Sequence, residues 1–190
     1  MTFFIATTVF SQEPKNSFDN NLCNYSSNNK GESKGININY FVPCEWGNVE
    51  NDGPHVIAKF LYKKHNSPES FLVSTSLSVT DLEKSTTDGD IKTLLSEEGL
   101  RILTKSWMKG TYESFSKLMV NGVKGGQAII KTLIKRENSN LFIDYTVQNY
   151  FVYNRKLILI QYAITSSSKE ILTKYLSFFK TLLGKTSFNM

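Results

Sequence analysis

Four consecutive stretches between residues 112 and 165 place apolar side chains at alternate positions, and only short polar turns separate them. A period of two is the pleat of a β-strand. Turns this short join antiparallel neighbours, because a parallel return needs a crossover of a dozen residues or more. Asn121-Gly122, between 112–120 and 127–135, accepts the positive φ angles of a tight hairpin. Asn154-Arg155 turns 141–153 back into 157–165. Whatever else the chain builds must fit around this antiparallel meander.

The strand at 141–153 shows what the meander needs. Leu141, Ile143, Tyr145, Val147, Phe151 and Tyr153 share one face, while Phe142, Tyr150 and Val152 make the other face apolar too. Such a sheet is covered on both sides, or else one end stays open as an apolar groove. Covers are available. Residues 90–107 set Ile91, Leu94, Leu95, Ile102 and Leu103 at helical spacings behind Thr87 or Asp88 as cap, with Gly99 as the place for a kink or break. Ser167-Ser168-Lys169-Glu170 fits a capping box, with Ser167 as cap and Glu170 reaching back. The helix it opens has a wide stripe of Ile171, Leu172, Tyr175, Leu176, Phe179, Leu182 and Leu183, and Gly184 is placed to end it.

Three more strands precede the meander, at 36–42, 56–62 and 71–79. In the last, Phe71, Val73, Thr75, Leu77 and Val79 point inward and Leu72, Ser74, Ser76 and Ser78 form a mostly polar opposite face. The order of elements predicts an α+β protein, an antiparallel sheet of about six or seven strands flanked by helices. At 190 residues the length fits one domain, placed here at 36–188.

The N-terminal part reads differently. Residues 12–35 are rich in Asn, Ser, Lys and Gly and are predicted as a flexible arm, with ordered structure starting near Gly35. Residues 3–10 are apolar and uncharged. Val9 and Ser11 occupy the small-residue positions a signal peptidase tolerates, which puts Gln12 at the mature end. Residues 1–11 therefore read as a signal-peptide remnant and the protein as exported, periplasmic or secreted. The basic start of a signal is missing, since the first cation is Lys15, and an ordinary first strand is the competing reading. Cys23 and Cys44 are a candidate disulfide, which would be worth roughly 3 kcal/mol across so short a loop. The other reading is a buried thiol at Cys44 and an inert one at Cys23. No apolar run approaches the roughly 18 residues that span a bilayer, so the chain is not expected to be membrane-embedded.

A search for reactive groups yields no catalytic residue, cofactor or metal site. The two histidines, His55 and His65, bracket one strand, and Asp52 and Glu69 near them lack ligand-like spacing. Gly122-Val123-Lys124-Gly125-Gly126 joins two strands, with no helix N-terminus to receive a phosphate. Glu97 and Glu98 point to different sides of a helix. Asp144 is a lone carboxylate, not an acid–base pair. The net charge of +5 is spread over Lys63-Lys64, Lys131, Lys135-Arg136 and Arg155-Lys156, mostly alternating with apolar residues as a solvated face does. No nucleic-acid motif accompanies it, and no nucleic-acid partner is expected.

Several residue patterns are similar to one known group. Ile38-Asn39-Tyr40-Phe41-Val42-Pro43-Cys44-Glu45-Trp46 is like a strand ending in a Pro-x-x-Trp turn, and the segment at 72–79 is like an amphipathic hairpin strand. Asn121-Gly122-Val123-Lys124-Gly125-Gly126-Gln127-Ala128 looks like a turn before a small residue. Residues 153–162 then lead to a last helix with Phe178-Phe179 and a Ser187-Phe188 end. Together these resemble the PsbP-like superfamily, which includes the extrinsic photosystem subunit, a Ran-binding import factor and small bacterial exported proteins. The resemblance covers about residues 36–188. It implies an α/β/α sandwich and a non-enzymatic role in docking or assembly with a protein or peptide partner. Trp46 is equally suited to plugging the end of the core. Two other functions compete: an enzyme of unrecognised type, with a cleft lined by Asp144 or His55, and an immunity-type protein that neutralises a toxin.

Overall fold

A computed structural model describes residues 21–28, 33–50, 53, 55–64, 70–105, 110–135 and 141–189. The strands are β1 (Leu22–Ser26), β2 (Asn37–Pro43), β3 (Gly47–Asn48), β4 (Val56–Lys64), β5 (Phe71–Asp81), β6 (Thr111–Val120), β7 (Val123–Lys135), β8 (Leu141–Tyr153), β9 (Lys156–Ser166) and β10 (Ser187–Asn189). The helices are α1 (Asp88–Leu94), α2 (Glu97–Lys105) and α3 (Lys169–Lys185).

The meander closes as its turns require. Asn121 and Gly122 take φ of 47° and 82°, and Asn154 and Arg155 take 47° and 56°. Both pairs occupy the left-handed region that two-residue hairpins need. Arg155 also donates from Nη2 to the carbonyls of Glu83 and Lys84, at 2.7 and 3.0 Å, which ties this turn to the loop before α1. The main sheet has seven strands in the order β3-β4-β5-β9-β8-β7-β6, all antiparallel.

The strand expected at 36–42 does not join that sheet. As β2 it sits between β1 and β10 in a separate three-stranded sheet. With α3, this small sheet covers one face of the main sheet. Ile38, Tyr40, Val73, Leu77, Phe151, Ile160, Tyr162, Phe179 and Leu182 form the buried interior there. Tyr162 stacks on Phe179 with ring centroids 4.9 Å apart, and the Tyr40 hydroxyl is hydrogen-bonded to Thr75 Oγ1.

A strand, β1, lies at Leu22–Ser26, ahead of the start of order expected near Gly35, and this corrects the reading of that part of 12–35 as a flexible arm. β1 carries few apolar residues, but β2 takes up its backbone groups, with Tyr25 opposite Tyr40. The Tyr25 hydroxyl donates to Ile57 O at 3.1 Å, and its ring meets Phe60 edge-on at 5.6 Å. A disulfide joins Cys23 in β1 to Cys44 just beyond β2, with Cα atoms 4.9 Å apart. Residues 1–11, expected to be a signal remnant, lie outside the described residues.

The other face of the main sheet is covered over β6 and β7 by α2, and α1 packs against α2. Leu100 packs there on Ala128, Ile130 and Tyr150. The segment expected at 90–107 with a kink or break at Gly99 is two helices, and the break falls before Glu97. Gly99 serves a different purpose. A Cβ there would meet Thr93 O at 2.2 Å, so glycine lets α2 start hard against the end of α1. α3 begins one residue later than its sequence signal: Ser168, not Ser167, is the cap, and its side chain accepts from Ile171 N. The helix also passes Gly184 and ends at Lys185, where Thr186 N–H bonds Leu183 O.

Candidate functional site

The residues examined for chemistry stay apart. His55 is exposed at the start of β4, and Asp52, His65 and Glu69 lie outside the described residues. Among the described residues no three His, Cys, Asp or Glu side chains gather where a metal could be held. Glu97 is engaged by Arg101, whose Nη2 lies 2.8 Å from Glu97 Oε1. Asp144 accepts hydrogen bonds from Thr165 Oγ1 at 2.6 Å and Thr146 Oγ1 at 3.1 Å, and no other acid stands beside it in that network. Trp46 is buried in the main core and fills its end, with its indole N–H making no hydrogen bond among the described residues.

The glycines of 122–126 serve the hairpin. Gly122 supplies the positive φ, and a Cβ on Gly125 would meet Tyr150 O at 2.5 Å and the Phe151 ring at 2.6 Å. Close strand packing therefore accounts for Gly125 with no phosphate to cradle.

A groove of about 480 Å³ follows the flank of α2, lined among others by Arg101, Ile102, Lys105, Tyr112 and Ile130. Its most polar wall is already occupied. Arg101 donates from Nε and Nη2 to one oxygen of Glu97, and its Cζ sits 4.1 Å from the Tyr112 ring centroid. Burial pushes the Tyr112 phenol above its ordinary pKa, with the Glu97 charge adding to the effect, so that group stays a neutral hydroxyl.

Among the described residues no strand flanks the far end of the β7–β8 hairpin, and Gly110 lies against Lys131 and Thr132 where β6 begins. β6 stops at Thr111, opposite Lys131, and β9 stops at Ser166, opposite Ile143. Beyond them Thr132–Lys135 and Leu141–Phe142 continue as a two-stranded ribbon, with Leu133 paired to Ile143, Ile134 to Phe142 and Lys135 to Leu141. Four residues of strand extend about 13 Å. Leu133 and Leu141 are 60% and 52% exposed, and both lie on the face that carries the main core. Ile143 and Tyr145 continue this apolar surface inward, and Lys131 Nζ lies 5.8 Å from the Tyr145 ring centroid.

This arrangement of layers has counterparts among solved structures. Cyanobacterial PsbP (CyanoP) from Synechocystis sp. PCC 6803 superposes with a TM-score of 0.57 at 13% identity, covering 89% of this chain and 93% of that one. LpqN, a protein involved in cell envelope biogenesis of Mycobacterium tuberculosis, superposes with a TM-score of 0.54 at 12% identity, covering 90% of this chain and 94% of that one. The fold is PsbP-like. No protein-family model matches the sequence, and no curated protein matches it. At such identities the likeness concerns architecture alone.

Within this PsbP-like fold Phe142, Tyr150 and Val152, which the sequence leaves either covered or open as an apolar groove, do not form one surface. Tyr150 is buried under α2 in the smaller core, its hydroxyl donating to Gln148 Oε1 at 2.9 Å. Phe142 and Val152 are half-buried, ten residues apart along β8. The open apolar surface lies on the opposite face, at Leu133 and Leu141. Alternation alone could not find it, because Leu133 has the same spacing as any inward residue. The available signal was strand length: 141–153 outruns 157–165, the strand that follows it.

Proposed function

We propose that this protein is an exported, non-enzymatic binding or assembly protein that docks a partner through the open end of its β7–β8 hairpin. The observation that carries the reading is the exposure of Leu133 and Leu141 on a ribbon with no strand on either side among the described residues. Two-stranded ribbons are marginal in water, and large apolar side chains held out on one mark contact surfaces more often than ordinary exterior. The scattered carboxylates and imidazole of the described residues support a role without chemistry. Export is supported by a disulfide whose two cysteines are exposed, since such bonds persist in oxidising compartments. The apolar segment at residues 3–10 supports it too. LpqN, of like fold, is involved in cell envelope biogenesis, which agrees with an exported role here.

Two measurements test this. The intact mass of protein purified from its source organism should show loss of residues 1–11 and of two hydrogens at Cys23 and Cys44. A full-length, reduced chain recovered without exposure to reductant would remove the export reading. For docking, a photoreactive residue at position 141 should crosslink to one partner in intact cells. The added substitution Leu133→Glu should abolish that product while shifting stability by no more than about 0.5 kcal/mol, as for an exterior site. Unchanged crosslinking in the variant would end the docking reading.

A further inference from the structure

We infer that two copies of this chain join edge to edge through β6, antiparallel about a two-fold axis at Phe115, and so continue the main sheet from one subunit into the other. Docking at the hairpin is not required for this. β6 ends the sheet on its side, and among the described residues no strand pairs with its outer edge. The turn fixes which groups face outward. Val120 and Val123 flank the two-residue turn and form a hydrogen-bonded pair. By alternation along the ladder, Phe115, Lys117 and Met119 turn their N–H and C=O groups away from β7. Among the described residues no hydrogen bond from another part of the chain takes these groups up.

Unpaired strand backbone of this kind is a template for another strand. The ladder is regular from Ser114 to Val120, and its one register shift lies at Glu113. The opposite edge of the sheet is less open. There β3 covers part of β4, Val49 N–H donates to Lys59 O at 3.0 Å, and Lys63 and Lys64 stand beyond.

Charge selects a second copy as the occupant. β6 carries two charged side chains, Glu113 and Lys117, both exposed. Neither is in an ion pair among the described residues. Four residues of strand are about 13 Å, so the two cannot meet within one chain. The run Glu113-Ser114-Phe115-Ser116-Lys117 is complementary to itself when reversed. With Phe115 opposite its copy, Glu113 lies opposite Lys117 of the partner subunit, and the pair occurs twice. Opposite charges across a strand pair favour pairing, and like charges oppose it. An axis at Lys117 would instead set two lysines face to face.

Apolar groups line the same seam. Phe115 meets its copy as a cross-strand aromatic pair, and Met119 is 66% exposed along the edge. An isologous axis normal to the sheet keeps the helices of both copies on one face. α2 lies over β6 and β7, and Ile102, also 66% exposed, lines the groove beside Tyr112 of β6. Joining the edges brings these two flanks toward each other.

Sedimentation equilibrium of the full disulfide-bonded chain should show monomer and dimer in an equilibrium that weakens as salt rises. Glu113→Lys and Lys117→Glu, each alone, set like charges at both ends of the pairing and should raise the dimer Kd about tenfold. Combining them restores opposite charges and should bring the Kd back. In amide exchange, protection at Phe115 should rise with protein concentration, while Ser114 and Ser116, whose amides face β7, should not change. A chain that stays monomeric up to its solubility limit would overturn the inference. So would a dimer that leaves the Phe115 amide unprotected, or one whose affinity the double swap fails to restore. Crosslinking in cells from position 117 to a different protein, with no product between two copies, would equally exclude self-pairing.

Discussion

Asn149 is fully buried in the main core, a position where alternation along β8 calls for an apolar residue. It is tolerated because its groups are bonded. Nδ2 donates to Ile160 O at 3.0 Å, and Oδ1 accepts from Gln127 Nε2 at 2.7 Å. Gln127 Oε1 in turn accepts from Ser116 Oγ at 3.3 Å, so a polar thread runs from the interior to exposed β6. Removing one member strands the next. Asn149→Leu is expected to cost about 2–3 kcal/mol in urea unfolding, because the Gln127 amide loses its acceptor inside the protein. Adding Gln127→Leu should recover part of that loss. A double variant as destabilised as the sum of its singles would show that the thread carries no coupling. Gly125→Ala tests packing instead: with Tyr150 O and the Phe151 ring in the way, it should cost about 1–3 kcal/mol in the same assay.

At the scale of elements, α1 is held by its first turn. Thr87 Oγ1 accepts from Asp90 N, and Asp90 Oδ2 accepts from Thr87 N at 2.8 Å, a reciprocal capping box. The Thr87 hydroxyl, then its N–H, holds the Asp90 carboxyl below the ordinary value of 3.8. The folded pKa is thus the lower one. The contribution is fully present above the unfolded value and is lost as pH falls through the folded one. Protection of the α1 amides, taken relative to their intrinsic exchange, should fall on acidification through that range, while in Asp90→Asn the fall should be absent. The cap was legible in the sequence to within one residue, Thr87 or Asp88, because its chemistry is local. The position of the break, before Glu97 rather than at Gly99, was not, because it depends on α2 folding back against the end of α1. Strands β4 to β9 were legible because one buried face enforces a strict period. β1 escaped for the opposite reason, since its order comes from β2, Tyr25 and a covalent bond rather than from apolar content. Cys23→Ser with Cys44→Ser should therefore cost roughly 3 kcal/mol for a separation of 21 residues, read from the thermal midpoint. It should also raise exchange at Leu22–Ser26 more than anywhere in β5. Uniform loss across both would mean that β1 is not held separately.

For the molecule as a whole, the two faces of the sheet differ in what covers them. The main core joins β2, β4, β5, β8, β9 and α3 through a large set of buried side chains, whereas the second rests on Leu100, Ala128, Ile130 and Tyr150 with a partly buried fringe. Regions held by fewer buried contacts open at lower free energy than the global transition. α1 and α2 should accordingly lift from the sheet as a unit while β5, β9 and β8 stay closed. Leu100 is the side chain to test, being fully buried and the only residue of α2 at the centre of that smaller core. Leu100→Ala removes about 2–5 kcal/mol of packing. If the layers are separable, most of that loss should appear as faster exchange in residues 88–105, with a much smaller change at the β5–β9 ladder. The ribbon at Leu133 belongs to the face that stays shut, so the crosslink at position 141 should survive the substitution. Equal acceleration in both layers would show instead that the sheet and its two covers unfold as one cooperative body, and that nothing docked at the hairpin could be insulated from motion of α2.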